Sequence, residues 1–221
     1  MADGFLFYYI TDRAQFPGDE SVRRQSLLEK IAEATRANID YIQLREKDLS
    51  TRDLERLARD AAAILHQLRT ENRELRTKLL INSRTDIAQA TGTDGVHLRS
   101  NDVSAMDVRK IWACGADIPI RVPAPVIGVS SHTTVEVLRA ESEGADFVVF
   151  APVFGKKAVP AIQPRGLAAL REACQAKIPV FALGGVTLEN AAQCRAAGAK
   201  GIAAIRLFQE NRLDDIVRIL R

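Results

Sequence analysis

Eight short apolar runs recur along the chain, and each is followed by a stretch whose apolar residues have helical spacing. Most runs are continuous Val, Ile, Leu and Phe, which is typical of parallel strands covered on both faces. The predicted strands are residues 5–10, 41–44, 79–81, 95–98, 126–129, 147–150, 180–183 and 201–205. The predicted helices are residues 20–37, 51–70, 84–91, 103–112, 133–143, 165–175, 188–197 and 210–220. This order predicts an α/β protein, a single (β/α)8 TIM barrel domain spanning residues 1–221.

Three segments resemble one another, at residues 34–42, 141–149 and 195–203. The last two share a Gly-Ala step followed by Asp or Lys. This pattern is typical of a helix that ends at a glycine and is followed directly by a strand. The resemblance therefore supports repeated helix-to-strand units.

Composition indicates an ordinary globular protein with a slight positive charge. The 221 residues are 47% apolar and 27% charged, and the net charge is +3. Lys and Arg are interleaved with Asp and Glu, so no nucleic-acid partner is expected. No apolar run approaches the roughly 18 residues of a membrane span, and the start of the chain has no basic leader segment. We therefore expect a cytoplasmic protein with no membrane partner. Free thiols are expected at Cys114, Cys174 and Cys194, which lack metal-ligand spacing.

Reacting groups in this fold project from the carboxyl ends of the strands. After the second predicted strand, alternation places Gln43, Arg45 and Lys47 on one side. Two cations facing the open end of the barrel suit an anionic ligand such as a diphosphate. The alternative is that both cations pair with neighbouring carboxylates, namely Glu46 or Asp48.

Polar residues also follow the next strands. Asn82 is expected to reach the open end of the barrel, and Asp102 can bind a hard cation through oxygen or cap a helix. The hydroxyl of Ser130 and nearby amides at a helix start form a natural anion site. His132 can donate a proton, or it can have a capping or packing role.

Glycines and lysines follow the later strands. The apolar run before Gly184 and Gly185 breaks at these glycines, where backbone amides can approach a phosphate. After the sixth strand, Lys156 and Lys157 follow a glycine hinge in a candidate lid over that phosphate. A solvated loop is the alternative.

Taken together, these segments resemble the thiamine-phosphate synthase and thiazole tautomerase (TenI-like) family. The strongest match is Tyr41-Ile42-Gln43-Leu44-Arg45-Glu46-Lys47, close to the family's YxQxREK signature. Further matches, in the right order, are Tyr9-Ile10-Thr11-Asp12, Gly128-Val129-Ser130-Ser131-His132-Thr133 and Ala182-Leu183-Gly184-Gly185-Val186.

The resemblance implies a Mg²⁺-dependent transferase that joins hydroxymethylpyrimidine diphosphate to a thiazole phosphate and releases diphosphate. It implies catalytic roles for Arg45, Lys47, Ser130 and His132. It implies substrate binding by Gln43, Asn82, Lys156, Lys157, Gly184 and Gly185, and Mg²⁺ binding by Asp102. Arg206, which is not part of the family pattern, is expected to add a cation at the phosphate site. The expected partners are these two phosphorylated substrates, and a homo-oligomer is possible.

Three positions depart from the synthase pattern. Ser83 stands where the synthases have an aspartate that binds magnesium, which weakens the expected metal site. Gly155-Lys156-Lys157 keeps only the lysine of a Thr-x-Thr-Lys pattern, and Arg206 replaces a small hydroxyl residue. Two alternatives therefore remain open: a tautomerase that uses His132, and a non-catalytic regulator that binds a phosphorylated ligand.

Overall fold

The computed structural model describes residues 4–114, 123–155 and 163–221, and these residues form the predicted closed barrel. Eight parallel strands pair in chain order, and the last pairs with the first. Each observed strand differs from its predicted bounds by at most two residues at either end. The strands are β1 (Leu6–Ile10), β2 (Tyr41–Leu44), β3 (Lys78–Asn82), β4 (Gly95–Leu98), β5 (Val126–Ser131), β6 (Phe147–Phe150), β7 (Val180–Leu183) and β8 (Gly201–Ala204).

Helices follow the strands and pack around the barrel. They are α1 (Glu20–Arg36), α2 (Thr51–Glu71), α3 (Thr85–Thr91), α4 (Ala105–Cys114), α5 (Thr134–Ser142), α6 (Gly166–Ala173), α7 (Ala191–Ala196), α8 (Arg206–Gln209) and α9 (Leu213–Leu220). A 3-10 helix, Arg13–Gln15, precedes α1. The predicted helix over 210–220 corresponds to α9, which begins three residues later. The sequence did not predict α8, which is too short to have a periodic pattern. Within the described ranges, no helix combines the length and hydropathy that crossing a bilayer requires.

Four aromatic rings fill the barrel interior near the amino-terminal ends of the strands. Tyr41 and Phe147 are the first residues of β2 and β6, and their ring centroids are 4.9 Å apart. Phe181 lies 5.0 Å from Phe147, and Tyr8 lies 5.3 Å from it. Because these rings occupy the amino-terminal half, a ligand has room at the carboxyl ends of the strands, here called the barrel mouth.

Four loops that lead into strands share one local structure. One or two residues after the preceding helix, each loop has a residue with positive φ: Asn38 (53°), Gly92 (64°), Gly144 (79°) and Gly198 (100°). In each loop, the amide after that residue donates to a helix carbonyl five residues earlier. Glycine and asparagine tolerate this conformation best. Three of these loops lie in the similar segments of the sequence. The fourth, at Gly92, was not predicted from the sequence.

Aspartates in three of these loops connect neighbouring strands. Asp40, Asp94 and Asp146 stand just before β2, β4 and β6. Each carboxylate accepts a backbone amide of the preceding strand at 2.6–2.8 Å, from Phe7, Leu79 and Ile127 respectively. Each also pairs with an arginine, namely Arg221, Arg69 and Arg109. At the fourth place the chain has Lys200, whose ammonium cannot accept a hydrogen bond. These contacts stabilise the amino-terminal face, opposite the mouth.

Asp94→Ala should lower the free energy of unfolding by roughly 2 kcal/mol, because it leaves Arg69 and the Leu79 amide without their partner. Burial opposes ionisation of Asp94, but hydrogen bonds from Arg69, Leu79 and Lys78 hold its pKa below the ordinary 3.8. Its stabilisation is therefore present above pH 3.8 and is lost as the pH falls below that value. Urea denaturation of both proteins at neutral and acidic pH measures the loss and its pH dependence.

Asp60→Ala is the matched control. Asp60 pairs with Arg24 on the surface and its side chain is 52% exposed, against 15% for Asp94. Its removal should change stability by less than about 1 kcal/mol. Equal losses in the two variants would contradict the role assigned to Asp94.

Candidate active site

A cavity of about 620 Å³ opens at the barrel mouth, at the ends of β2, β3, β4 and β5. It is here called the first cavity. Most of the polar residues predicted after these strands line it. Its polar lining includes Gln43, Arg45, Lys47, Asn82, Ser83, His97 and Ser130. The sequence therefore predicted correctly that these strand ends face one space.

A second cavity of about 780 Å³ lies at the ends of β7 and β8, beside α8. Gly184, Gly185 and Arg206 line it, and it shares Arg45 and Gly184 with the first cavity. The two cavities are therefore neighbours, and Arg45 stands between them. Arg45 and Gly185 lie on the same rim, as expected.

Only glycine can be accommodated at positions 184 and 185. Their φ values are 100° and 64°, a region that other residues rarely adopt. A Cβ at Gly184 would lie 2.8 Å from Pro152, and one at Gly185 would lie 2.8 Å from Phe154 and 2.9 Å from the Gly155 carbonyl oxygen. The bare backbone here can approach an anion closely.

Arg45 and Lys47 form no ion pair within the described ranges of the chain, although the Asp12 carboxylate is near enough to act weakly on Lys47. Glu46 and Asp48, which could have paired with them, are bound by Arg13. Arg13 Nη1 lies 3.2 Å from Glu46 Oε2 and 2.7 Å from Asp48 Oδ1. The proximity of Arg45 lowers the pKa of Lys47, and partial burial adds to the effect. Two mutually repelling cations therefore line the first cavity, which favours an anionic ligand.

Glu46 also holds the backbone of Arg45 in place through Thr11. The Thr11 hydroxyl donates to Glu46 Oε1 at 2.5 Å and accepts from the Arg45 amide at 3.0 Å. Burial raises the pKa of Glu46, while the bonds from Thr11 and Arg13 act against this rise. Glu46 is nearly inaccessible, and Arg13 is only 5% exposed.

Sequence reasoning missed Arg13. One signal was available, since alternation turns Glu46 away from Arg45, toward a buried face where a carboxylate needs a cation. Nothing in the sequence shows which cation that is.

Gln43 and Asn82 are joined by a hydrogen bond. The Gln43 amide nitrogen donates to Asn82 Oδ1 at 3.0 Å. This bond fixes both side-chain amides at the first cavity, so that the Asn82 amide nitrogen is turned away from Gln43.

Asp102 lies just outside the first cavity, in a groove that it shares with Arg99. Its carboxylate accepts the Arg99 amide at 2.8 Å and pairs with the Arg99 guanidinium at 2.9 Å. Burial opposes ionisation, but these contacts and the nearby Ser83 hydroxyl hold the pKa of Asp102 below its ordinary value. The residue that caps α4 is Ser104, whose Oγ accepts the Asp107 amide at 3.1 Å.

Ser83 has a backbone conformation unusual for serine, with φ of 56°. Its hydroxyl is buried and forms no well-aligned hydrogen bond within the described residues. No group of three His, Cys, Asp or Glu side chains suited to a metal occurs within those same residues. Asp102 and Ser83 together offer one carboxylate and one hydroxyl.

His132 and Ser130 occupy different places although they are two residues apart. His132 is exposed, its ring bonds to the Ala151 carbonyl oxygen at 2.8 Å, and it lines neither cavity. Ser130 lines the first cavity, where its hydroxyl lies 2.9 Å from His97 Nε2. From the sequence His97 was assigned no role, although alternation places it inside the barrel.

Arg206 is exposed, is the first residue of α8, and has no ion pair in the described part of the chain. It therefore adds a third unpaired cation at the mouth. Lys156 and Lys157 lie outside the described residues, so their predicted role stays a prediction.

Comparisons with known proteins agree with these observations. The family model for thiamine monophosphate synthase, TMP-TENI, matches residues 7–208. A putative thiamine-phosphate synthase 2 from Aquifex aeolicus (strain VF5) is 35% identical over 204 residues, covering 92% of this chain and 97% of that protein. A thiamine-phosphate synthase from Clostridium novyi (strain NT) is 36% identical over 220 residues, covering 98% and 95%.

A solved structure is similar over the same length. It is the thiamine phosphate pyrophosphorylase from Pyrococcus furiosus, with a TM-score of 0.74 and 27% identity, covering 98% of this chain and 95% of that one. The barrel, its strand-end motifs and these relatives lead to one conclusion: the chain belongs to the thiamine monophosphate synthase family.

Proposed function

We propose that this chain is a thiamine-phosphate synthase that joins hydroxymethylpyrimidine diphosphate to a thiazole phosphate. The observation that carries the proposal is the pair of neighbouring cavities that share Arg45. Two phosphorylated substrates need two anion sites whose reacting ends meet. The family relatives support the same reaction by name.

In the first cavity, Gln43, Asn82 and the two unpaired cations would hold the diphosphate. As the bond between the pyrimidine methylene carbon and the diphosphate oxygen breaks, negative charge grows on the leaving group. Arg45 and Lys47 would stabilise that charge from fixed positions. The thiazole nitrogen then donates its electron pair to the methylene carbon, forming the new bond.

The first cavity also has apolar walls, which suit a reaction that water would interrupt. Ile10, Leu183 and Ile205 line it beside the polar groups. Excluding water prevents hydrolysis of the electron-poor methylene carbon and strengthens the attraction of Arg45 for the leaving group.

In the second cavity, the thiazole phosphate would bind the backbone at Gly184 and Gly185, with Arg206 adding positive charge. Strands seven and eight and a short extra helix commonly form phosphate sites in this fold. The glycine conformations and the position of α8 support this assignment.

The residues at Asp102 fit a weak magnesium site. One carboxylate and the buried Ser83 hydroxyl beside it suit a cation that keeps substrate oxygens and waters among its ligands. Bound Mg²⁺ would neutralise charge on the diphosphate. Asp102 and Ser83 are the residues that would hold it.

The tautomerase is the second candidate, because Ser83 replaces an acidic metal ligand. The position of His132 weighs against it, since that ring lines neither cavity. The unpaired cations beside Gln43 favour the synthase, which must bind a diphosphate.

The direct test supplies purified protein with both substrates and Mg²⁺. We expect diphosphate release and thiamine phosphate formation, both of which depend on the thiazole phosphate. Conversion of one thiazole tautomer to the other without diphosphate release would favour the tautomerase. Binding of substrates in calorimetry without any turnover would favour a regulator.

Arg45→Ala should lower kcat/KM by at least about tenfold, equivalent to roughly 1.4 kcal/mol of transition-state stabilisation. The reason is the loss of a charge that contacts the leaving group. Arg56→Ala is the matched control, because Arg56 is 67% exposed on α2 and pairs only loosely with Asp53 at 3.7 Å. Unchanged rates in Arg45→Ala would remove Arg45 from the site.

Ser83→Asp should tighten the apparent affinity for Mg²⁺, because it adds a second carboxylate beside Asp102. Aspartate also tolerates positive φ better than serine. Ser83→Asn is the control, since asparagine has the same shape and backbone tolerance without the charge. Magnesium titrations of activity compare the three proteins. Equal affinities in the aspartate and asparagine variants would contradict a metal site here.

A further inference from the structure

Three side chains form a hydrogen-bonded chain from the barrel interior to the first cavity. The Tyr8 hydroxyl lies 3.1 Å from His97 Nδ1, and His97 Nε2 lies 2.9 Å from Ser130 Oγ. Tyr8 is fully buried and His97 is 3% exposed, whereas Ser130 is half-buried at the cavity wall. These two hydrogen bonds therefore connect the buried Tyr8 hydroxyl to the Ser130 hydroxyl, which a ligand can reach.

The direction of these bonds follows from the state of His97. The ring of His97 is buried, and its two nitrogens bond to the Tyr8 and Ser130 hydroxyls, with no carboxylate among their partners within the described residues. The ring is therefore neutral at physiological pH. A neutral imidazole has one N–H and one accepting nitrogen, so its two bonds run in the same sense.

The hydrogen bond of Tyr8 determines which nitrogen of the His97 ring carries the proton. Its hydroxyl has His97 as its one hydrogen-bond partner among the residues that the structure describes. If Nδ1 carried the proton, the Tyr8 hydroxyl would accept it and its own proton would be buried without an acceptor, which is costly. Tyr8 therefore donates to Nδ1, and the ring proton lies on Nε2.

The position of the His97 proton determines how the Ser130 hydroxyl can bond in the first cavity. With its proton on Nε2, His97 donates to Ser130 Oγ, so the Ser130 hydroxyl proton is not used by His97. We propose that Tyr8 and His97 are positioning residues that keep the Ser130 hydroxyl as a hydrogen-bond donor toward an anionic oxygen of the bound substrate. The inference rests on the proposed function, since it takes that oxygen to belong to the diphosphate.

Two nearby tyrosine substitutions separate this role from packing. Tyr8→Phe keeps the ring that packs against Phe147 and Phe181 and removes only the donor to His97. Tyr9→Phe is the matched control, because the Tyr9 hydroxyl is buried with no hydrogen-bond partner within the described ranges. Its loss should change neither binding nor the state of His97.

Nitrogen NMR of the ligand-free, ¹⁵N-labelled protein reads the tautomer directly. We expect the His97 ring at neutral pH to carry its proton on Nε2, with its signals assigned by their absence in His97→Gln. Loss of the Tyr8 donor should shift the Nδ1 resonance in Tyr8→Phe and not in Tyr9→Phe. A proton found on Nδ1 would overturn the inference without reference to activity.

Calorimetric titration with inorganic pyrophosphate and Mg²⁺ tests the consequence for binding. Ser130→Ala should weaken binding by about tenfold or more, and Tyr8→Phe by roughly threefold to tenfold. The double variant should bind no more weakly than Ser130→Ala alone, because Tyr8 acts through Ser130.

The outcomes are separable. An equal loss from Tyr8→Phe with and without the Ser130 hydroxyl, or no loss at all, would overturn the positioning role. If the unmodified protein does not bind pyrophosphate, the diphosphate site and the proposed function fail. The NMR measurement still decides the hydrogen-bond direction in that case.

Discussion

The chemistry proposed for this barrel depends on how Arg13 occupies the neighbouring carboxylates. A chain that carries Arg45, Glu46, Lys47 and Asp48 in succession would ordinarily pair its own charges. Arg13 prevents this by binding Glu46 and Asp48 from the 3-10 helix after β1. The cations at 45 and 47 consequently remain available to a ligand. A structural ion pair on one side of the strand end thus creates an anion site on the other.

The strand pattern and the closing order of the barrel were predictable because they depend on local signals. Continuous apolar runs identify the strands within two residues, and helical spacing identifies most helices. What the pattern could not supply was the set of contacts between distant residues. Arg13 meets Glu46 across 33 positions, and Asp94 bonds to Leu79 across 15. The helix α8 was missed for another reason, since four residues have no measurable period.

The candidate site was predictable to the level of which residues face the mouth. Alternation along β2 correctly grouped Gln43, Arg45 and Lys47, and the glycine pair after β7 lies on the same rim. Side-chain partners were not predictable, and they change the interpretation. Asp102 is engaged by Arg99, and His132 bonds to the Ala151 carbonyl oxygen instead of lining a cavity. His97 is buried, so its role became visible only through its contacts with Tyr8 and Ser130.

The aspartate contacts at Asp40, Asp94 and Asp146 lie at the end of the barrel remote from Arg45 and Gly185. Stability and ligand recognition are therefore assigned to opposite ends of the same strands. Substitutions accumulated around the ligand need not weaken the framework, and repairs to the framework need not disturb recognition. Such a division lets a lineage explore new substrates at little risk to folding. Substitutions at mouth residues such as Ser83 are the kind of change that this arrangement tolerates.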